Sequence, residues 1–184
     1  MQQAQQLIDN LIAQTKETIN VIERYKLLDL QTLNWRINKQ SWSVLECVAH
    51  LNFYGDFYLP EIDKQLSNAK LGSDKDVKGG FLGQYFAKSM LPKEKLNKMK
   101  TFKDKNPIHT QLNINELDKF INQQNQLLGL LEKSRLYNLN KIKISISISK
   151  LLKLRLGDTF QFYINHQLRH LYQMERVLEA FNRN

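Results

Sequence analysis

The stretch Asn165-His166-Gln167-Leu168-Arg169-His170-Leu171-Tyr172-Gln173 decides how this chain is read. It holds two of the four histidines, four residues apart. Positions i and i+4 of an α-helix stand one above the other on a single face, about 6 Å apart along the axis. Two imidazoles so placed can reach one metal ion, each at roughly 2.0–2.1 Å. The flanks ask for a helix: Phe160, Ile164, Leu168, Leu171, Val177 and Leu178 recur at helical spacing, with no Gly or Pro among them. Leu156 opens the segment, and Asp158 places a carboxylate where the helix dipole favours it. The bland alternative is two histidines that bond to the surface. Gln167 stands where a His-Glu-x-x-His metalloprotease needs its general base, which excludes that class. Two imidazoles hold a metal poorly, so a third ligand has to come from elsewhere.

A third histidine stands in Ser41-Trp42-Ser43-Val44-Leu45-Glu46-Cys47-Val48-Ala49-His50-Leu51. Ser43 and Glu46 have capping-box spacing, which starts a helix. Val44, Val48, Leu51, Tyr58 and Ile62 form its apolar stripe, and His50 lies on the flank of that stripe beside Cys47 and Tyr54. Histidines on the flanks of two stripes meet at the edge of a groove between packed helices, where bundle metal sites form. Pro60 predicts a kink or an early end; otherwise this helix reaches about Asn68.

Two further helices are legible. Residues 4–26 carry an amphipathic stripe through Ala4, Ile8, Leu11, Thr15, Ile19 and Ile22. Residues 115–133 bury Leu117, Phe120, Ile121, Leu127, Leu128 and Leu131, with Asn113 and Glu116 as caps and Gln124 interrupting the face. Residues 27–40 read as a connection. Residues 71–111, rich in Gly and Lys, read as a long irregular crossover with a short helix over 84–91. Over 141–150, Ile142, Ile144, Ile146 and Ile148 alternate with Lys and Ser, the period of an extended segment, and no second strong strand is visible to pair with it.

Composition narrows the class. The 184 residues are 42% apolar, enough for one well-filled domain spanning 1–184. Cys47 is the only cysteine, so no intrachain disulfide forms. No apolar run approaches the roughly 20 residues of a membrane span, and the first residues have no signal-peptide core. The expectation is a cytoplasmic protein that does not enter the membrane. The net charge of +9 is concentrated in Lys88, Lys93, Lys95, Lys98, Lys100, Lys103 and Lys105. With little aromatic interleaving and no nucleic-acid motif, that run reads as a solvated loop before it reads as a phosphate-binding patch.

Trp42-Ser43-x-x-Glu46-x-x-x-His50-Leu51 together with His166-x-x-x-His170-x-x-Gln173 resembles the DinB-like superfamily, including bacterial thiol-dependent S-transferases of the YfiT type. The resemblance covers essentially the whole chain. It implies an all-α four-helix bundle with a long crossover connection and a short extended segment before the last helix. It also implies a divalent metal, zinc or nickel, held by His50, His166 and His170. Gln173 falls where the family commonly carries a polar residue.

Three imidazoles with open positions make a catalytic type of site, because a cation stabilises deprotonated water or thiol. The expected function is a metal-dependent enzyme acting on a small molecule, either a hydrolase or a transferase with a low-molecular-weight thiol as co-substrate. The resemblance favours the transferase. A non-catalytic metal-binding or stress-response bundle is the second reading, and a nucleic-acid binder using Lys88–Lys105 the third. No catalytic base is assigned: Glu46 reads first as a cap and then as a residue behind the metal, and Gln173 has the same supporting place. His109 reads as a surface residue and Cys47 as a small buried one. Trp42, Tyr54, Phe57 and Tyr163 read as core before substrate platform. Exposed apolar faces leave room for a homodimer, which no pattern specifies.

Overall fold

The computed structural model describes residues 2–73, 75–92, 101–147 and 149–183. Four long helices make up most of it: α1 (Ala4–Tyr25), α3 (Val44–Ser67), α5 (Asn115–Ser134) and α6 (Leu156–Phe181). Helix α1 packs on α5 and α6, and α3 packs on the same two, so α1 and α3 stand across from each other. The histidine-bearing helices α3 and α6 are therefore neighbours. Two short helices, α2 (Leu30–Asn34) and α4 (Phe81–Ser89), lie in the connections. Among the described residues there are also two small antiparallel ladders: β1 (Gln2–Gln3) with β2 (Asp76–Val77), and β3 (Lys143–Ile146) with β4 (Ser149–Arg155).

The start of α3 is fixed as its sequence demands. Ser43 Oγ accepts from the Glu46 amide at 3.2 Å, and Glu46 Oε2 accepts from the Ser43 amide at 2.8 Å. Pro60 does not end the helix, which runs on to Ser67. At α5 the expected cap is absent. Asn113 Oδ1 accepts from the Asn115 amide in a local turn, and Glu116 instead accepts from Asn52 Nδ2 at 2.8 Å, tying α5 to α3. Asp158 stands in the first turn of α6 as expected and has a further role. Its Oδ2 accepts the Gly80 amide at 2.8 Å, so it serves the N-terminus of α4 from another helix. Gly83 makes that approach possible, since a Cβ there would lie 2.5 Å from Asp158 Cβ.

The alternating segment does find a partner. Ile144 pairs with Leu154 and Ser145 with Lys153, with an irregularity before Ile146 meets Ser149. The second strand was hidden because Leu151 and Leu152 stand side by side and Leu151 is 93% exposed, so no period-two pattern marks it. Ile148 lies outside the described residues, as do Lys93, Lys95, Lys98 and Lys100 of the lysine-rich run. The short helix of the crossover is α4, starting earlier than expected, and α2 falls in the stretch read as a plain connection, with Asp29 accepting from the Thr32 amide at 2.9 Å.

The interior divides into two apolar clusters. One holds Leu7, Leu11, Tyr58, Ile62, Leu131 and Phe160; the other holds Ile22, Val44, Val48, Phe120, Leu171 and Met174. Between them all four long helices turn polar at one level: Thr15 and Thr18 on α1, His50 and Asn52 on α3, Gln123 and Gln124 on α5, and His166, Gln167 and His170 on α6. These side chains are buried. A polar layer across a helical core costs stability unless its members are satisfied, and such layers mark functional sites.

Candidate metal centre

His50, His166 and His170 come together in this layer. His166 Nε2 lies 3.3 Å from His50 Nε2 and 3.0 Å from His170 Nε2. Two ligands held at roughly 2.0–2.1 Å from one ion, at tetrahedral or octahedral angles, stand about 2.9–3.4 Å apart. The spacing fits. The proton positions fit as well. His50 Nδ1 is 2.7 Å from the Lys105 carbonyl oxygen, which can only accept, so Nδ1 carries the proton and Nε2 keeps its lone pair. Gln173 Oε1 accepts in the same way from His170 Nδ1 at 3.0 Å. Both lone pairs point toward the nitrogen of His166. One proton on His166 can satisfy only one of them at a time, whereas a cation is stabilised by all three. His166 Nδ1 is buried with no partner among the described residues.

The electrostatics keep the cluster in its neutral form. Burial pushes His50 down from 6.5 to about 4; the bond to the Lys105 carbonyl opposes this and the Lys105 charge adds to it. Burial, then the neighbouring histidines and Arg169, hold His166 well below its ordinary value. His170 is held down by burial, by His50 and by Arg169, against the bond to Gln173. Neutral imidazole, the form that binds metal, is thus the state at neutral pH.

Aromatic rings fix the imidazoles in place. Trp42 lies 4.7 Å from His50 and stacks on His170 at 5.7 Å between ring centroids. Tyr54 stands edge-on to His166 at 4.5 Å. Of the four aromatics read as core, Trp42 and Tyr54 line the site, while Phe57 packs on the core and Tyr163 is fully buried in it. A strap from Phe102 to His109 crosses over α3. Besides the Lys105 carbonyl on His50, it offers Asn106 Oδ1 to Trp42 Nε1 at 3.0 Å and the His109 amide to Glu46 Oε1 at 2.6 Å. His109 itself is exposed, with the left-handed φ of 63°.

Glu46 is fully buried and committed elsewhere. Arg36 grips it through Nε at 2.8 Å and Nη2 at 2.7 Å, and the Ser43 and His109 amides occupy the same two oxygens. It does not line the cavity, so it anchors the strap and the helix start. Cys47 lies in the apolar cluster, and burial followed by the Glu46 charge pushes its thiol up, which makes it inert. The cluster opens on a cavity of about 980 Å³. Its wall includes α4 through Tyr85 and Phe86, the hairpin through Ile146 and Leu154, and Arg169 of α6. Arg169 was overlooked in the sequence although it stands between the paired histidines. The Lys105 carbonyl has no sequence signal at all, being backbone.

A helical chain with three convergent neutral imidazoles at the wall of a cavity is of the class that can hold a metal ion in its core. The DinB superfamily model matches residues 16–174, and the chain belongs to that superfamily. No curated protein and no solved structure matches it. Among the described residues no helix is long and apolar enough to cross a membrane.

Proposed function

We propose that this chain is a single-domain, divalent-metal-dependent enzyme in which His50, His166 and His170 hold the ion, zinc or nickel. The observation that carries the reading is the convergence of three Nε2 atoms, two of them with their tautomer fixed from behind, on an open cavity. A bound divalent cation supplies Lewis acidity, which makes a water or a thiol a stronger nucleophile at neutral pH. The chain's own groups do the rest. The Lys105 carbonyl and Gln173 orient two of the ligands, as the partners behind metal-binding histidines do. Trp42 and Tyr54 wall the site and keep water from its flanks. No carboxylate among the described residues lining the cavity offers itself as a base, which favours chemistry in which the nucleophile is activated by the cation.

The reaction is the transfer of a low-molecular-weight thiol to a small electrophile, or a hydrolysis at the same site. The cavity favours both over a non-catalytic bundle, because a purely structural metal needs no space of this size beside it. The test is turnover of a thiol with a chlorinated aromatic, run beside hydrolysis of an activated ester. One of the two should proceed, stop on chelation and return with zinc or nickel, and fail in His166→Ala. Turnover indifferent to chelation would reject the reading.

A further inference from the structure

Not all of the polar layer belongs to the histidines. Tyr163 and Gln167 stand four apart on α6, on the stripe beside that of His166 and His170. Gln124 meets them from α5. All three are fully buried. Burial pushes the Tyr163 hydroxyl up, and Gln167 and Gln124 pull it back, which places both amides beside it. Yet no two of the three make a direct hydrogen bond. Both ends of the Gln124 amide, both ends of the Gln167 amide and the Tyr163 hydroxyl have no partner among the described residues. Turning either amide over gains nothing, because its oxygen and its nitrogen are equally unpartnered. Thr18 Oγ1, buried on α1 at the same level, shares this condition. Helices α5 and α6 each pack on α1 and α3, so side chains that meet between them lie at the centre of the bundle. Helices on a diagonal stand further apart than the roughly 8–10 Å of packed neighbours, which leaves room there for a small molecule.

Five such atoms in one spot are too many for a folded core. Each buried polar group without a hydrogen bond lowers the ratio of folded to unfolded chain by about five- to 150-fold, and five together would offset most of the stability of an ordinary domain. Whatever completes the cluster has to donate to two amide carbonyls and accept from two amide nitrogens, while the hydroxyl can do either. It has to be small, and it has to be neutral, because amides and a phenol do not compensate a buried charge. Water meets all three demands, and a buried water takes about two to four polar partners. We infer that Gln124, Tyr163 and Gln167 form an internal water-binding site at the centre of the bundle, separate from the histidine centre, where about one or two molecules bridge α5 to α6. The inference goes beyond the proposed function. It draws on no metal, and none of the three residues lines the cavity.

The test reads the water itself. The isotope-labelled full chain is examined for nuclear Overhauser effects from water to the side-chain amide protons of Gln124 and Gln167. The expected result is a cross peak at both, with the sign of water that stays longer than the protein takes to tumble. Tyr163→Phe removes the hydroxyl and with it any magnetisation relayed through an exchanging phenol proton. The four amide atoms still hold the water there, so the cross peaks should persist. A wild-type spectrum in which either amide lacks its cross peak overturns the inference, and so does their loss in folded Tyr163→Phe. A thermal melt checks the fold of the variant. Should Tyr163→Phe not fold, water-oxygen relaxation dispersion of the wild type and Gln124→Met decides. The contribution of long-lived water should fall by about one molecule per chain in Gln124→Met, and equal contributions would overturn the inference.

Discussion

Replacing Glu46 by Ala tests how the strap and helix α3 are held together. The carboxylate accepts four bonds: from Arg36 Nε and Nη2 and from the Ser43 and His109 amides, between 2.6 and 2.8 Å. Breaking a buried ion pair by removing one partner costs about 3–5 kcal/mol. Arg36 retains 27% exposure and can turn to water, which puts this loss near the lower end, about 3 kcal/mol. The Ser43 amide is then orphaned in the interior, at about 1 kcal/mol more. The His109 amide lies in an exposed turn and finds solvent. The sum, about 4 kcal/mol, corresponds to a fall in Tm of roughly 8–16 °C for a chain of this size. Glu46→Gln keeps the shape and some acceptor capacity, so it should lose about half as much.

Thermal and urea denaturation at pH 7 measure the Glu46 loss, and repeating them at lower pH supplies a sign. Burial alone raises the carboxyl, but the Arg36 bond and the two amides outweigh it and leave it below 4.5 in the folded chain. A depressed carboxylate stabilises the fold above its unfolded value, and that contribution disappears as pH falls through the folded one. The gap between wild type and Glu46→Ala should therefore narrow below pH 4.5. A Tm loss under about 3 °C at pH 7, or a gap that stays constant into strong acid, would refute the reasoning.

Gln173→Leu removes the acceptor behind His170, and a competition titration should show metal affinity about 10–100-fold weaker with little change in the melt. The metal-free protein should lose stability as pH falls from 6.5, because the unfolded chain takes up protons there while His50 resists protonation down to about 4; urea midpoints at stepped pH check it. Gly83→Ala puts a methyl group against Asp158 and must push α4 from α6, so denaturation should show a loss of about 1–3 kcal/mol and the cavity wall formed by α4 should move.

Much of this was legible before any coordinates. The capping box at Ser43 and Glu46, the length of α1, and the start of α6 at Leu156 follow from local patterns, and the structure has them in place. The convergence of the histidines was legible in part. Spacing gives the pair on α6 and puts His50 on the flank of its stripe, but only packing of α3 on α6 brings the third ring in. The interruption at Gln124 was visible as a flaw in one apolar face, while Thr15 reads as a member of the α1 stripe. Their meaning, one polar layer across four helices, appears only once the helices are aligned. What stayed hidden was carried by backbone or by unpatterned residues: the Lys105 carbonyl, the strand with adjacent leucines, and Asp158 capping a helix other than its own.

The proposed metal is the point on which the functional account stands, and elemental analysis of protein purified without a histidine tag addresses it most directly. The account predicts about one equivalent of zinc or nickel per chain, falling below about a tenth of that in His166→Ala with the helical signal retained. Wild-type protein that carries no divalent metal and takes up none when either ion is supplied, or a His166→Ala variant that holds as much as wild type, would contradict it.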